Sequence, residues 1–301
     1  MTGARERFIA FRRSQPRAPR LEQRTVEVRG LKLAVRSSPP VEGALPLLCV
    51  NGGLLFDHSS LWPALAPLAV KRQLILYDQR GRGDSAAPTS PDAARIEDDA
   101  RDIGALRRAL GIGRWNVLGH SWGGGIALLG AEQDQDATDR LVLVDAVGPT
   151  GAWMRGMQPR ALERLDAGDR AVLQRFDEWT LGKADAGVQS AYARALYPAW
   201  FADRELAGLF SAPRSESATG AAIAARLRRD GYDWRALVRV VHRPALVIHG
   251  DQDLLPVSVA EDLIALLPSA ELQIMPAAGH MPFWETPEKF FDVVSAFLDA
   301  T

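Results

Sequence analysis

The segment Gly119-His120-Ser121-Trp122-Gly123-Gly124-Gly125 places a serine inside a G-x-S-x-G pattern. The apolar run Trp115–Leu118 before it reads as a strand, and Ile126–Leu129 after it as part of a helix. A strand, this turn and a helix together make a nucleophile elbow, which lifts the serine hydroxyl clear of the chain. The turn is sharp, so the serine backbone is strained and its neighbours must lack bulk. Gly119 and Gly123 meet that need. The start of the following helix points unpaired amides at the serine oxygen and favours an anion there. A serine hydroxyl is a weak nucleophile and needs a base.

There are five histidines: His58, His120, His242, His249 and His280. Behind such an elbow the acid and then the histidine follow the serine along the chain. The run Ala245–Ile248 leads into His249-Gly250-Asp251-Gln252-Asp253-Leu254-Leu255-Pro256, which offers two aspartates. Only His280 lies beyond either of them, so elimination makes His280 the base. It sits in Ala277-Ala278-Gly279-His280-Met281-Pro282, a loop between the last strand and the last helix. Asp253 lies further into its loop than Asp251, with Pro256 stiffening the turn behind it, and is favoured over Asp251 as the acid. Its task is to fix the imidazole tautomer and stabilise the imidazolium. His120 and His249 are expected as structural neighbours of the site, and His242 at the surface.

Acyl transfer through a serine also needs two backbone donors for the tetrahedral oxyanion. The amide of Trp122, directly after the nucleophile, supplies one. The loop Val50-Asn51-Gly52-Gly53-Leu54 supplies the other, assigned to Gly53. The charged turn Asp78-Gln79-Arg80-Gly81-Arg82-Gly83-Asp84-Ser85 reads as structural rather than catalytic. No metal or organic cofactor is implied.

These residues need a frame that brings distant loops to one edge. Apolar runs at Leu45–Val50, Leu74–Tyr77, Trp115–Leu118, Leu141–Val144, Ala245–Ile248 and Leu272–Met275 are near-continuous, as in strands buried on both faces of a parallel sheet. Thr25–Val28 and Leu31–Val35 flank Arg29-Gly30 as a hairpin. Helices alternate with them: Ile96, Ile103, Leu106 and Leu110 stop at Gly111. Another runs from an N-cap at Ser258 to Leu267, and Thr286 caps a last one opened by Pro287. The result is a doubly wound α/β layer. Between Gly148 and Val240 only helical patches appear, so residues 148–240 are expected as a helical cap over the crevice at the strands' C-terminal edge. Four of the eight tryptophans (Trp153, Trp179, Trp200, Trp234) fall in it. Residues 25–147 and 241–301 form the core, and the arginine-rich residues 1–24 a solvated, flexible arm.

A chain of 301 residues with 47% hydrophobic and 24% charged content is ordinary for a globular protein. Formal net charge is -1, which speaks against nucleic acid or bulk membrane as partner. No run of about 18 apolar residues suits a transmembrane helix. The one cysteine, Cys49, allows no internal disulfide and reads as a core residue. A cytoplasmic protein acting on a small molecule or short peptide is expected.

The elbow, the Asp78-Gln79-Arg80-Gly81 turn, the Gly250-to-Asp253 loop and Ala278-Gly279-His280 resemble the α/β-hydrolase superfamily over residues 25–300. That resemblance implies a mostly parallel eight-stranded sheet flanked by helices, with a cap. Within it, the Gly-Gly loop, the DQRG turn and Ser121-Trp122-Gly123 are similar to the proline iminopeptidase branch. Asn51-Gly52-Gly53-Leu54 stands where that branch usually has His-Gly-Gly-Pro. The resemblance implies cleavage of a small amide or ester, including an N-terminal aminoacyl or prolyl bond, with a cap carboxylate receiving the substrate amine. Glu163, Glu178, Glu205 and Glu216 are available, and Glu178 beside Trp179 is the first candidate. The alternatives are a carboxylesterase or lactonase, and a non-catalytic ligand receptor on the same fold.

Overall fold

The computed structural model describes residues 3–176, 178–181 and 183–300, apart from the side chains of Glu178 and Trp179. Eight strands form one sheet in the order β1-β2-β4-β3-β5-β6-β7-β8. They are β1 (Glu22–Val28), β2 (Leu31–Ser37), β3 (Leu47–Val50), β4 (Leu74–Tyr77), β5 (Trp115–His120), β6 (Thr138–Val144), β7 (Ala245–Gly250) and β8 (Ala270–Met275). The hairpin β1–β2 runs antiparallel and joins the sheet through β2–β4, and every pairing from β4 to β8 is parallel. Of the six near-continuous apolar runs, β3, β4, β5 and β7 are buried along their whole length, β6 is buried from Leu141 to Val144, and the edge strand β8 is only partly buried because one side of it has no neighbouring strand. Core side chains lie on both sheet faces because helices cover both. The edge strand β1 is polar and exposed, which blunts pairing with other chains.

The flanking helices are α1 (Ala4–Ser14), α2 (Ile96–Ala109), α3 (Trp122–Gln133), α11 (Ser258–Ile264), α12 (Pro282–Glu285) and α13 (Pro287–Asp299). Helix α2 buries Ile96, Ile103 and Leu106 on one face and carries Glu97, Asp98 and Asp99 in its first turn, where the macrodipole favours them. It ends before Gly111, which takes a left-handed φ of 70°.

Between β6 and β7 the described residues hold α4 (Met157–Arg164), α5 (Ala167–Leu173), α6 (Glu178–Leu181), α7 (Ala186–Leu196), α8 (Arg204–Ala207), α9 (Ala218–Asp230) and α10 (Arg235–Val238). Polar side chains start several of them. Asp166, Asp185, Asp203 and Ser217 each accept the amide three residues on, at 2.8–2.9 Å. An isolated bridge, Thr150 to Asp233, closes the base of this insertion.

Three expectations need correction. Residues 4–14 form a helix packed on the core, not a free arm. Phe8 and Phe11, three apart, share one helix face; Phe8 meets Phe210 edge-on and Phe11 stacks on Phe291, while Arg12 and Arg13 stay exposed. Strand β1 starts at Glu22, inside the stretch assigned to the arm. Finally, neither Ser258 nor Thr286 caps its helix with its side chain; the Thr286 hydroxyl instead reaches the Pro282 carbonyl.

Candidate active site

Strand β5 and helix α3 meet at Ser121, whose backbone is held at φ 56°, ψ -125°. A non-glycine residue with positive φ is costly, and here the surroundings enforce it. The Ser121 amide donates to the Val144 carbonyl at 2.9 Å, and its carbonyl accepts from Gly124 at 2.9 Å. The turn tolerates no bulk: a Cβ on Gly123 would stand 2.1 Å from the Val50 carbonyl oxygen. Ser121 is 6% exposed and lines a cavity of about 800 Å³ that His280 also lines.

His280 and Asp253 come from loops after β8 and β7, and their side chains are buried. The imidazole Nδ1 lies 2.7 Å from Asp253 Oδ2. A carboxylate only accepts, so Nδ1 carries the proton and Nε2 is left with its lone pair. The other Asp253 oxygen accepts the Leu255 amide at 3.2 Å. Burial works to raise the Asp253 pKa, but His280 beside it prevails and holds the carboxyl below its usual value. Asp251, the competing acid, is exposed and has no part in this contact.

Two further histidines crowd the site. His120 donates from Nε2 to the His280 carbonyl at 2.8 Å, with the two rings 4.7 Å apart. His249 donates from Nε2 to the Leu255 carbonyl at 2.9 Å and stands 3.7 Å from Asp145. Both are fixed neighbours, as expected, while His242 is exposed. Asp145 is a residue that sequence reasoning missed. It ends β6 at φ 43°, is fully buried, accepts the Gly250 amide at 2.8 Å and packs within 4.8 Å of Asp253. Burial first, and Asp253 nearby, raise its pKa well above the ordinary range.

Gly53 and Trp122 both border the cavity beside Ser121. Trp122 is the first residue of α3, so its amide has no partner within the helix. The loop before Gly53 presses on Ser121: a Cβ on Gly52 would lie 2.6 Å from Ser121 Cβ. Gly53 and Leu54 then take positive φ in succession, 80° and 51°.

The charged turn after β4 braces this loop at both ends. Gln79 donates to the Asn51 carbonyl at 2.8 Å, and Asn51 reaches back to the Phe56 carbonyl at 3.0 Å. Arg82, wholly buried, donates to the Leu54 carbonyl at 2.7 Å and grips Asp99 of α2 through two nitrogens at 3.0 and 2.8 Å. The turn is structural, as its residues suggested. Its target, the loop carrying Gly53, was not legible from sequence spacing.

The cap supplies most of the cavity wall. Trp153, Tyr192, Leu196, Tyr197, Trp200 and Tyr232 line it. Trp153 Nε1 donates to the Tyr232 hydroxyl at 2.7 Å, and that hydroxyl donates to the Gly148 carbonyl at 3.1 Å. Their rings flank Trp122 at 5.5 and 5.7 Å, so a hydrogen-bonded aromatic wall stands beside the residue that follows Ser121. Glu163, Glu205 and Glu216 are exposed and do not border the cavity. The side chains of Glu178 and Trp179 lie outside the described residues.

Comparison with known proteins agrees with this architecture. The alpha/beta hydrolase fold family matches residues 46–287. The chain is 27% identical to a proline iminopeptidase of Lactobacillus delbrueckii subsp. bulgaricus, over 84% of this chain and 89% of that protein. It is 30% identical to an uncharacterized protein of Mycobacterium tuberculosis, over 94% of this chain and 82% of that one. Among solved structures, the enol-lactonase from Burkholderia xenovorans LB400 superposes with a TM-score of 0.69 at 24% identity, covering 92% of this chain and 100% of that one.

Proposed function

The chain belongs to the alpha/beta hydrolase family, and from that premise we propose that it is a serine hydrolase acting by acyl transfer on an ester or amide with an uncharged, apolar acyl group. The observation that carries this reading is the 2.7 Å contact of His280 with Asp253, made at the wall of the cavity of about 800 Å³ that also exposes Ser121. His280 Nε2 takes the Ser121 proton, and Ser121 Oγ attacks the substrate carbonyl carbon. The amides of Gly53 and Trp122 hold the tetrahedral oxyanion. His280 returns the proton to the leaving group as the bond to it breaks. Water, deprotonated by the same imidazole, then releases the acid and restores Ser121.

The apolar preference follows from the wall. The described carboxylates that border the cavity are Asp230 and Asp233, and each is paired with an arginine: Arg229 at 2.8 Å and Arg235 at 2.6 Å. Among the described residues, a free substrate ammonium would meet only carboxylates already shared with arginines. The likeness to proline iminopeptidases favours a second reading, removal of an N-terminal residue, with Glu178 as receiver of the amine. Hydrolysis of p-nitrophenyl acetate and butyrate against proline p-nitroanilide separates the two. Turnover of none, with a small ligand still bound, would instead make the protein a receptor. A small molecule or short peptide is the proposed partner. The cytoplasm is the proposed location, in keeping with the single buried Cys49; among the described residues no helix is long and apolar enough to cross a membrane.

A further inference from the structure

The loop that carries His280 is held by a group the mechanism does not use. Glu285 is the last residue of α12, and it is completely buried. Its Oε1 accepts the amides of Gly279 and Met281, at 2.9 and 3.2 Å. Its Oε2 accepts the amide of Ala202 in the cap, at 2.8 Å. The amide between the first two belongs to His280 itself, and it donates to the Trp200 carbonyl at 2.7 Å. Three successive amides of the base loop are thus tied down, two by one carboxylate and one by the cap segment that the same carboxylate grips. The Trp200 ring lies over the imidazole, with centroids 4.2 Å apart and planes 30° apart.

We propose that Glu285 is a positioning residue for His280, a buried carboxylate clamp that sets the imidazole against Asp253 and Ser121 and fastens the cap to the base loop. This rests on the serine-hydrolase reading of the site. The chemistry suits the task. A carboxylate is the only side chain that accepts several amides at once without offering a donor of its own, and bonds to a charged acceptor are the stronger kind. A glutamine here would turn an N–H toward an amide N–H. The groups facing the clamp are Asp253 from the loop after β7, Asp145 from the end of β6 and Arg164 from α4. Arg164 also donates to the Asp253 carbonyl at 3.2 Å, so a cation stands by the two carboxylates without pairing with Glu285. Burial outweighs the three amides and raises the Glu285 pKa to about 7. Below that pH one oxygen carries a proton and confronts an amide as a second donor, so the clamp loosens.

The test is the rate at which a fluorophosphonate labels Ser121 in the full chain, followed by mass spectrometry from pH 5 to pH 9. This readout needs no knowledge of the substrate. Glu285→Gln, folded by circular dichroism, is expected to label on the order of tenfold or more slowly at pH 8. Its rate should fall on acidification as a single ionisation, whereas the wild-type rate falls more steeply than one proton allows. Glu285→Asp keeps the charge on a shorter arm and should give an intermediate rate with the steep fall retained. A Glu285→Gln rate equal to wild type overturns the proposal. So does a slower rate with an unchanged pH profile, because then the side chain only packs the loop. If Glu285→Gln does not fold, Glu285→Asp decides, and a Glu285→Asp rate equal to wild type at pH 8 overturns the clamp. Absence of label on wild-type Ser121 at every pH is a different failure, that of the serine-hydrolase reading.

Discussion

His280 Nδ1 and Asp253 Oδ2 meet at 2.7 Å across 27 residues of chain. The loops after β7 and β8 bring them together because these strands pair in parallel, so both loops leave the same edge of the sheet. Asp253→Asn replaces the acceptor by an amide and permits the wrong imidazole tautomer. A loss of about 10⁴ in kcat is expected, with KM little changed. Asp251→Asn, two residues away and exposed, should stay near wild type. Steady-state kinetics on any turned-over ester checks the pair, and equal losses would move the acid role to Asp251.

The approach of Gly52 to Ser121 gives a second expectation. A methyl at position 52 would stand 2.6 Å from both the His120 carbonyl oxygen and Ser121 Cβ, and neither is a flexible end that can give way. Gly52→Ala should therefore push the loop with Gly53 off the nucleophile, costing about 100-fold or more in kcat/KM and about 1–3 kcal/mol of stability from overpacking. Gly113 has nothing within 4 Å of an added Cβ, so Gly113→Ala is the control, within about 0.5 kcal/mol of wild type. Kinetics and urea melts of both variants make the comparison. An active, stable Gly52→Ala protein would show that the loop yields.

The sheet was legible because buried parallel strands leave a local signature, a near-continuous apolar run, and each of the six runs overlaps a strand, the edge strand β8 being only partly buried. The elbow was legible for a related reason: Gly119, Ser121 and Gly123 sit within one turn, and the turn's geometry dictates their types. Asp145 and Glu285 were not legible. Each is a lone acid at or just past the end of an element, and a partner of each, Gly250 for one and Ala202 for the other, stands 105 and 83 residues away. Burial decides their role, and burial of a single polar residue has no periodic mark. The arm at residues 4–14 was misread because its arginines outweighed two phenylalanines in composition. Those two rings share a face and find Phe210 and Phe291.

His120 should make the fold sensitive to acid. Burial first, and the neighbouring His280 next, lower its pKa from 6.5 to about 3. In the unfolded chain the same ring protonates near 6.5. Between these values the unfolded state binds a proton that the folded state refuses, so stability falls as pH drops from about 6.5 toward 3. At pH 5 the loss is about 2 kcal/mol. His120→Gln keeps a donor for the His280 carbonyl but cannot titrate. Glu285 and Asp99, whose pKa values burial raises to about 7 and about 6, act in the opposite sense but are present in both proteins. Denaturant melts at pH 7 and pH 5 should show wild type losing about 2 kcal/mol more than the variant. Parallel losses would mean that His120 takes up its proton in the folded protein.

On the proposed acyl-transfer mechanism the cap chooses the substrate, because such a triad treats all carbonyls alike and the wall of Trp153, Tyr192, Trp200 and Tyr232 does not. Among the described residues the cavity carboxylates Asp230 and Asp233 are engaged by arginines, and Glu178 is the proposed receiver of the amine on the peptidase reading. A hydrogen-bonded pair between its carboxylate and a substrate ammonium, partly shielded from water, is worth about 2–5 kcal/mol when one partner is truncated. If the enzyme removes N-terminal residues, Glu178→Gln should lower kcat/KM for proline p-nitroanilide by at least about tenfold and spare p-nitrophenyl butyrate. If it is an esterase with an apolar acyl pocket, the anilide is a poor substrate from the start and Glu178→Gln changes neither rate. Trp153→Ala then becomes the sensitive variant. It removes a ring that borders the cavity and the donor to the Tyr232 hydroxyl, so the butyrate ester should lose more than the acetate ester. Equal losses for both esters would place the acyl chain elsewhere in the cavity, away from the aromatic wall.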